Sequence, residues 1–131
     1  MNNMKIRHFG GIETAFTSGE LRGVLSKRLW KDVNEFWITE DNKEFPCMAI
    51  LVNGIFANVT FFEDENDIGV QSIGGKLGLK AGLFTVFYTN TPNEEIEIHN
   101  EMIVSTEVAV KAAEEFLHGN TRPSCINWVK N

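Results

Sequence analysis

Acidic side chains form two clusters in this 131-residue chain, and their spacing is the first pattern that could carry chemistry. The first cluster places four acids within five positions: Glu63, Asp64, Glu65 and Asp67. The second occupies every other position: Glu95, Glu97, His99 and Glu101. Alternate residues of an extended strand point the same way, and neighbouring like charges destabilise a sheet. The pattern leaves two interpretations open, a solvated surface with no partner and a binding surface for a basic partner.

Trp37 is a further candidate for recognition. It alternates with Phe36 and Ile38, so on a strand it lies on the face opposite these two apolar residues. A tryptophan in this position is either part of the core or an exposed anchor, since tryptophan is enriched among residues that dominate binding energy. Trp37 and His99 are therefore candidate anchors beside the acidic clusters.

Three other chemistries fit the residue spacing poorly. A metal site needs three or four convergent ligands, whereas Glu97 and His99 offer two on one strand face. A phosphate-binding loop ending at Lys76 would need glycine at position 70 and serine or threonine at position 77, where the chain has Val70 and Leu77. The cysteines and serines lack the pattern of an activated nucleophile. We therefore expect no metal site, no cofactor and no enzymatic activity.

The charge balance narrows the class of partner. The chain has 12 Lys and Arg against 18 Asp and Glu, a formal net charge of −6. Such a chain is poorly suited to bind nucleic acid or an anionic membrane directly. It can meet a basic protein, including one that itself binds nucleic acid. The N-terminus lacks an apolar signal segment, and the longest apolar run is too short for a membrane helix. We therefore expect a cytoplasmic protein with no membrane partner, whose two cysteines are buried thiols.

The elements that must position these residues begin with two helices. The length predicts a single domain over residues 1–131, and 43% hydrophobic with 23% charged residues is ordinary for a globular protein. A capping box at residues 17–20, followed by apolar residues at helical spacing, predicts a first helix over about residues 18–32. Ser105 can cap a second helix, which Gly119 and Pro123 would end.

Strands are predicted between and after these helices. The predicted strands cover residues 35–39, 47–52, 55–62, 70–73, 83–89, 95–99 and 125–129. Asn53-Gly54 predicts a tight hairpin turn in which both residues have positive φ. This order of elements predicts an α+β fold, in which a curved, mainly antiparallel sheet is covered by two helices.

The C-terminal third carries three segments that are distinctive in combination. They are Ile103-Val104-Ser105-Thr106-Glu107-Val108-Ala109, a helical segment ending Phe116-Leu117-His118-Gly119, and Arg122-Pro123-Ser124-Cys125-Ile126-Asn127-Trp128. Together they resemble the end of immunity protein family one of bacterial polymorphic toxin systems. Residues 59–62 and 85–88, and more weakly 32–39, extend the resemblance over about residues 20–128. His99 and Ser105 stand where the family usually has proline.

The resemblance implies a small, non-enzymatic antidote in the cytoplasm. Members of this family bind and neutralise the toxin domain encoded by an adjacent gene. These toxins often act on nucleic acid, and some are deaminases. An acidic surface would then block the basic cleft in which such a toxin holds its substrate. The expected binding surface consists of the two acidic clusters together with Trp37 and His99.

A second hypothesis belongs to a different class, a small-molecule-binding or catalytic α+β domain that uses the concavity of the sheet. Its basis is that segments 47–52 and 83–88 are apolar on both strand faces. Reproducible thermal stabilisation by one compound from a panel of metabolites and metals would favour this hypothesis.

Overall fold

The computed structural model describes residues 3–74 and 77–131. These residues contain two α-helices, α1 (Ser18–Leu25) and α2 (Thr106–Gly119), and neither is long and apolar enough to cross a membrane. Gly75 and Lys76, part of the candidate phosphate loop, lie outside the described residues. The strands, in chain order, are β1 (Met4–His8), β2 (Gly11–Ala15), β3 (Val33–Glu40), β4 (Cys47–Asn53), β5 (Phe56–Phe62), β6 (Val70–Ile73), β7 (Phe84–Tyr88), β8 (Glu95–His99), β9 (Val104–Ser105) and β10 (Asn127–Lys130).

The main sheet runs in the order β10-β6-β5-β4-β3-β1-β2, and β9 adds a short pairing with β5. All its neighbouring strands are antiparallel. Side chains at alternate positions of the central strands, such as Phe36 on β3 and Phe61 on β5, face the two helices and are buried. Phe116 on α2 packs edge-on against Phe61, with ring centroids 5.8 Å apart. Each buried Phe contributes roughly 1.5–3 kcal/mol, so this contact helps to fix α2 on the sheet.

Strands β7 and β8 form a separate two-stranded sheet on the other face of the main sheet. Leu51 on β4 and Phe87 on β7 are buried in one apolar cluster, and the Asn53 side-chain amide donates to the Val86 carbonyl at 2.8 Å. Segment 47–52 is apolar on both faces because one face meets the helices, while Leu51 on the other face packs against Phe87 of β7. Cys47, at the start of the strand, lines an open depression on that second face. The predicted α+β class, with a mainly antiparallel sheet and two helices, is confirmed.

The N-terminal hairpin of β1 and β2 was not predicted from the sequence. Strand β1 pairs along its whole length with β2 on one side and β3 on the other. The signal was present, because apolar Met4 and Ile6 alternate with Lys5 and Arg7. Both apolar side chains are fully buried, whereas both basic side chains are exposed.

Helix α1 is shorter than predicted and ends at Leu25 instead of near residue 32. The chain beyond it turns back into β3, and the Asn34 side-chain amide donates to the Lys27 carbonyl at 2.9 Å. Lys31 and Asp32 have positive φ angles of 66° and 60°, which an α-helix does not accommodate. The helical prediction over residues 26–32 was therefore wrong, because contacts with β3 replace the bonds of a longer helix.

The predicted helix caps at Thr17 and Ser105 are confirmed. Each side chain accepts a hydrogen bond from the backbone N–H three residues further on, which satisfies a donor that the helix leaves free. The second helix ends one residue later than predicted, since the left-handed residue is Asn120, with φ 51°, and not Gly119. Asparagine tolerates this conformation better than most residues.

Two other local predictions need correction. In the turn between β4 and β5, Gly54 has a φ of +60°, but Asn53 remains in the strand and pairs with Phe56. The turn residues are thus Gly54 and Ile55. The C-terminal strand begins at Asn127, later than predicted, and Cys125 before it is exposed. Cys47 is buried as expected.

Candidate functional site

The first acidic cluster forms the loop between β5 and β6, and its side chains have two kinds of role. The Asp67 carboxylate accepts hydrogen bonds from the backbone N–H groups of Glu63 and Gly69, both at 2.9 Å. These bonds hold the pKa of Asp67 below its ordinary value. Asp64 accepts a bond from a backbone N–H two residues further on. Asp64 and Asp67 therefore shape the loop, whereas Glu63 and Glu65 are exposed and free of such bonds among the described residues.

Three members of the second acidic cluster, Glu95, Glu97 and His99, lie on β8, as predicted. Glu95, Glu97 and His99 are exposed on one face of the small sheet, and the His99 ring packs on Phe84 of β7 with centroids 4.6 Å apart. Glu101 differs from them because it follows the strand and accepts a 2.7 Å bond from the Gly82 N–H. That bond lowers the pKa of Glu101 and ties its carboxylate to the preceding loop.

The hydrogen-bond register leaves one edge of β8 open. The Asn100 N–H donates to the Leu83 carbonyl, and the Thr89 N–H donates to the Glu94 carbonyl, both at 2.9 Å. These bonds place the even-numbered residues of β8 in contact with β7. The backbone N–H and C=O groups of Glu95, Glu97 and His99 therefore point away from β7, towards an edge that pairs with no strand in residues 3–74 and 77–131.

The structure does not merge the two acidic clusters into one surface. The loop cluster follows Phe62, which pairs with Cys47 at the start of β4. The small sheet instead packs over Leu51 and Asn53 at the end of β4. The two clusters thus lie towards opposite ends of this strand.

Trp37 lies between the clusters and is half-buried. Its ring stacks on Phe62, with centroids 6.0 Å apart and planes 18° from parallel. It lines two depressions, of about 350 Å³ and 200 Å³, on the face of the main sheet opposite the helices. Arg7 borders both depressions as well. Trp37 is thus neither fully core nor fully exposed, and it forms the floor of a concave surface.

Several exposed residues near these features were not among the site residues predicted from the sequence. Lys5 and Arg7 on β1 lie on the same sheet face as Trp37, and the alternation of β1 would have located them. Trp30 is 60% exposed, and the Lys31 ammonium lies 4.2 Å from its ring centroid. No periodic pattern marks Trp30, because it precedes β3 in an irregular segment.

Cys47 and Glu35 border this concave surface, and both are buried. Burial raises the pKa of the Cys47 thiol to about 11, so the thiol remains protonated at neutral pH. The Glu35 carboxylate, 5% exposed, accepts a 2.5 Å bond from the Thr89 hydroxyl and a 3.0 Å bond from the Asn90 N–H. Residues 3–74 and 77–131 contain no group of three acidic, His or Cys side chains placed to hold a metal.

Comparison with known proteins identifies a relative of known role. No protein-family model matches the chain. A curated protein of Burkholderia cenocepacia (strain H111), the double-stranded DNA deaminase immunity protein, is 29% identical over 104 residues. The aligned region covers 79% of this chain and 80% of that protein. The resemblance to an immunity protein of a toxin system is thereby confirmed.

Proposed function

We propose that this chain is an immunity protein that binds a toxin domain and neutralises it. The observation that carries the proposal is the 29% identity to the double-stranded DNA deaminase immunity protein, which extends over about four-fifths of both chains. Similarity over 104 residues extends far beyond a single motif, which favours a shared mode of action.

The toxin in this proposal acts on nucleic acid, and a deaminase is the favoured class. A nucleic-acid-directed enzyme holds its substrate in a basic cleft. This chain has a net charge of −6, which steers it towards such a cleft and accelerates association. Inhibition then follows from occupying the cleft and requires no chemistry from the inhibitor.

Strand β8 is the proposed electrostatic contact. Glu95 and Glu97 present carboxylates on one face, and their backbone groups lie at the open edge of the strand. An extended partner segment that carries Lys or Arg could satisfy both the charges and the edge. Glu63 and Glu65 form a second acidic contact. Trp37, between the two acidic contacts, and His99, on β8, supply aromatic surface.

The proposed setting is the cytoplasm of a cell whose adjacent gene encodes the toxin. The test is co-expression in a sensitive host. The C-terminal domain of the adjacent gene's product is induced with and without this chain, and survivors are counted. We expect survival with this chain and killing without it, while an unrelated toxin of similar potency still kills. Death in the presence of soluble chain, with a toxin domain shown to kill, would contradict the proposal.

A further inference from the structure

The face of the main sheet opposite the helices carries basic side chains that form no ion pair among residues 3–74 and 77–131. Arg22, Lys27, Arg28 and Lys43 each lie within 4 Å of a carboxylate oxygen. Lys5 and Arg7 make no such ion pair among the described residues. They are two positions apart on β1 and exposed on the same face. Two carboxylates also line the depressions on this face: Glu35, which is buried and bonded to Thr89 and Asn90, and Glu44. The cations Lys5, Arg7 and Lys43 outnumber them, so the local charge is positive in a chain of net charge −6.

These cations border a trough. Arg7 and Trp37, which are paired in register on β1 and β3, line both of the depressions described above, so the two depressions meet at this pair. One depression extends past Thr39 to Phe45, and the other extends to Pro92. The trough therefore crosses the sheet face with an aromatic floor, an arginine at its centre and ends of mixed polar and apolar character.

We propose that this trough binds an extended, carboxylate-bearing segment of the toxin domain. The inference rests on the proposed function and names the chemistry of a second contact. It is independent of the acidic contact at β8 and has the opposite charge. The toxin would present basic groups to β8 and at least one Asp or Glu to Arg7.

The shape and charge of the trough favour this occupant. The planar guanidinium of Arg7 can bind both oxygens of a carboxylate, while the half-buried Trp37 ring offers a flat surface for the carbon chain beside it. Two depressions that meet end to end suit an extended backbone better than a compact ligand. An acidic contact also discriminates among toxins, because a toxin with a basic residue at that position would meet Lys5 and Arg7 with like charge.

The experiment measures the Kd of a catalytically inactive toxin domain, encoded by the adjacent gene, for the full chain and its variants. Arg7→Glu reverses the charge at the centre of the trough and should raise Kd on the order of 100-fold. Arg7→Lys retains the charge without the planar fork and should raise Kd about tenfold. Lys111→Glu makes the same change in net charge at an exposed position of α2, on the other side of the sheet. It should leave Kd within about threefold of the wild-type value.

Further variants keep the test decisive. Thermal unfolding is measured for every variant. If Arg7→Glu does not fold, Lys5→Glu replaces it, and we expect Lys5→Glu to raise Kd about tenfold. Restoration of Arg7→Glu binding by an Asp→Lys or Glu→Lys change in the toxin would support the contact directly. If Arg7→Glu and Lys5→Glu both bind the toxin domain with the wild-type Kd, the trough contact is overturned, while the proposed function stands. Failure of the wild-type chain to bind would instead contradict the proposed function.

The same samples distinguish two other occupants. If inorganic pyrophosphate bound the wild-type chain but not Arg7→Glu, while the toxin bound both equally, the trough would be an anion site and the inference wrong. If the chain alone sedimented as a dimer that Arg7→Glu dissociated, with toxin affinity unchanged, a second copy would be the occupant. Either result overturns the inference.

Discussion

At the scale of single residues, Asn34 joins three segments behind the concave face. It is 1% exposed. Its side-chain carbonyl accepts from the Phe9 N–H at 3.1 Å and from the Glu35 N–H at 2.8 Å, and its amide donates to the Lys27 carbonyl. A single side chain therefore connects the β1–β2 hairpin, the segment after α1 and the start of β3. It adds to the β1–β3 pairing that places Arg7 beside Trp37.

Replacing this side chain should destabilise the fold. Asn34→Ala leaves buried backbone groups without partners, so we expect the free energy of unfolding to fall by about 2 kcal/mol. The measurement is urea unfolding followed by circular dichroism. Asn93→Ala, at an exposed position, is the matched control and should change the free energy by less than about 0.5 kcal/mol. Equal effects of the two substitutions would show that the buried bonds of Asn34 contribute nothing.

A second residue-scale prediction concerns pH. The backbone bonds that Asp67 accepts from Glu63 and Gly69 lower its folded-state pKa below the ordinary value of 3.8. The carboxylate therefore stabilises the fold above pH 3.8, and this contribution is lost as the pH falls through the folded-state pKa. The stability advantage of the wild-type chain over Asp67→Asn should thus shrink as the pH is lowered from 6 towards 2. An advantage that is constant over this range, in urea unfolding at each pH, would contradict the assignment.

At the scale of elements, features that depend on local patterns could be predicted from the sequence, whereas features that depend on long-range contacts could not. The caps at Thr17 and Ser105 and the strands from β3 to β6 follow from side-chain chemistry and periodicity. The length of α1 does not, because Asn34 and the path into β3 end that helix early. The acidic stripe on β8 was also predictable from alternation. Predicting its open edge would have required the register with β7. Predicting the trough would have required knowing that β1 lies beside β3.

The element-scale prediction tests β8 as the steering surface. The double substitution Glu95→Lys and Glu97→Lys should slow association with the toxin domain about tenfold at low salt, because it replaces attraction by repulsion. The difference from wild type should shrink as salt screens the charges. The measurement is stopped-flow association at two salt concentrations.

The loop supplies the comparison for that experiment. Glu63→Lys with Glu65→Lys makes the same change in net charge at the other end of β4. A rate slowed equally by both pairs would show that β8 steers the encounter no more than the loop does. If Glu95→Lys with Glu97→Lys leaves the association rate unchanged, β8 is not part of the contact.

At the scale of the whole molecule, the proposed contacts share one side. The helices cover one face of the main sheet, while the trough and the small sheet occupy the other. Trp37 connects these features, since it stacks on Phe62 beside the acidic loop and lines the depression that ends at Pro92, beyond β7. A partner on this side would meet acidic and basic surface in a fixed pattern. Such a pattern provides specificity as well as attraction.

The central claim is that this chain neutralises a toxin by binding it. The most direct measurement titrates the chain into a fixed amount of the adjacent gene's toxin domain and records the remaining catalytic activity. With the toxin far above Kd, we expect activity to fall linearly and to vanish near one chain per toxin. Full activity at a tenfold excess of folded chain would contradict the account.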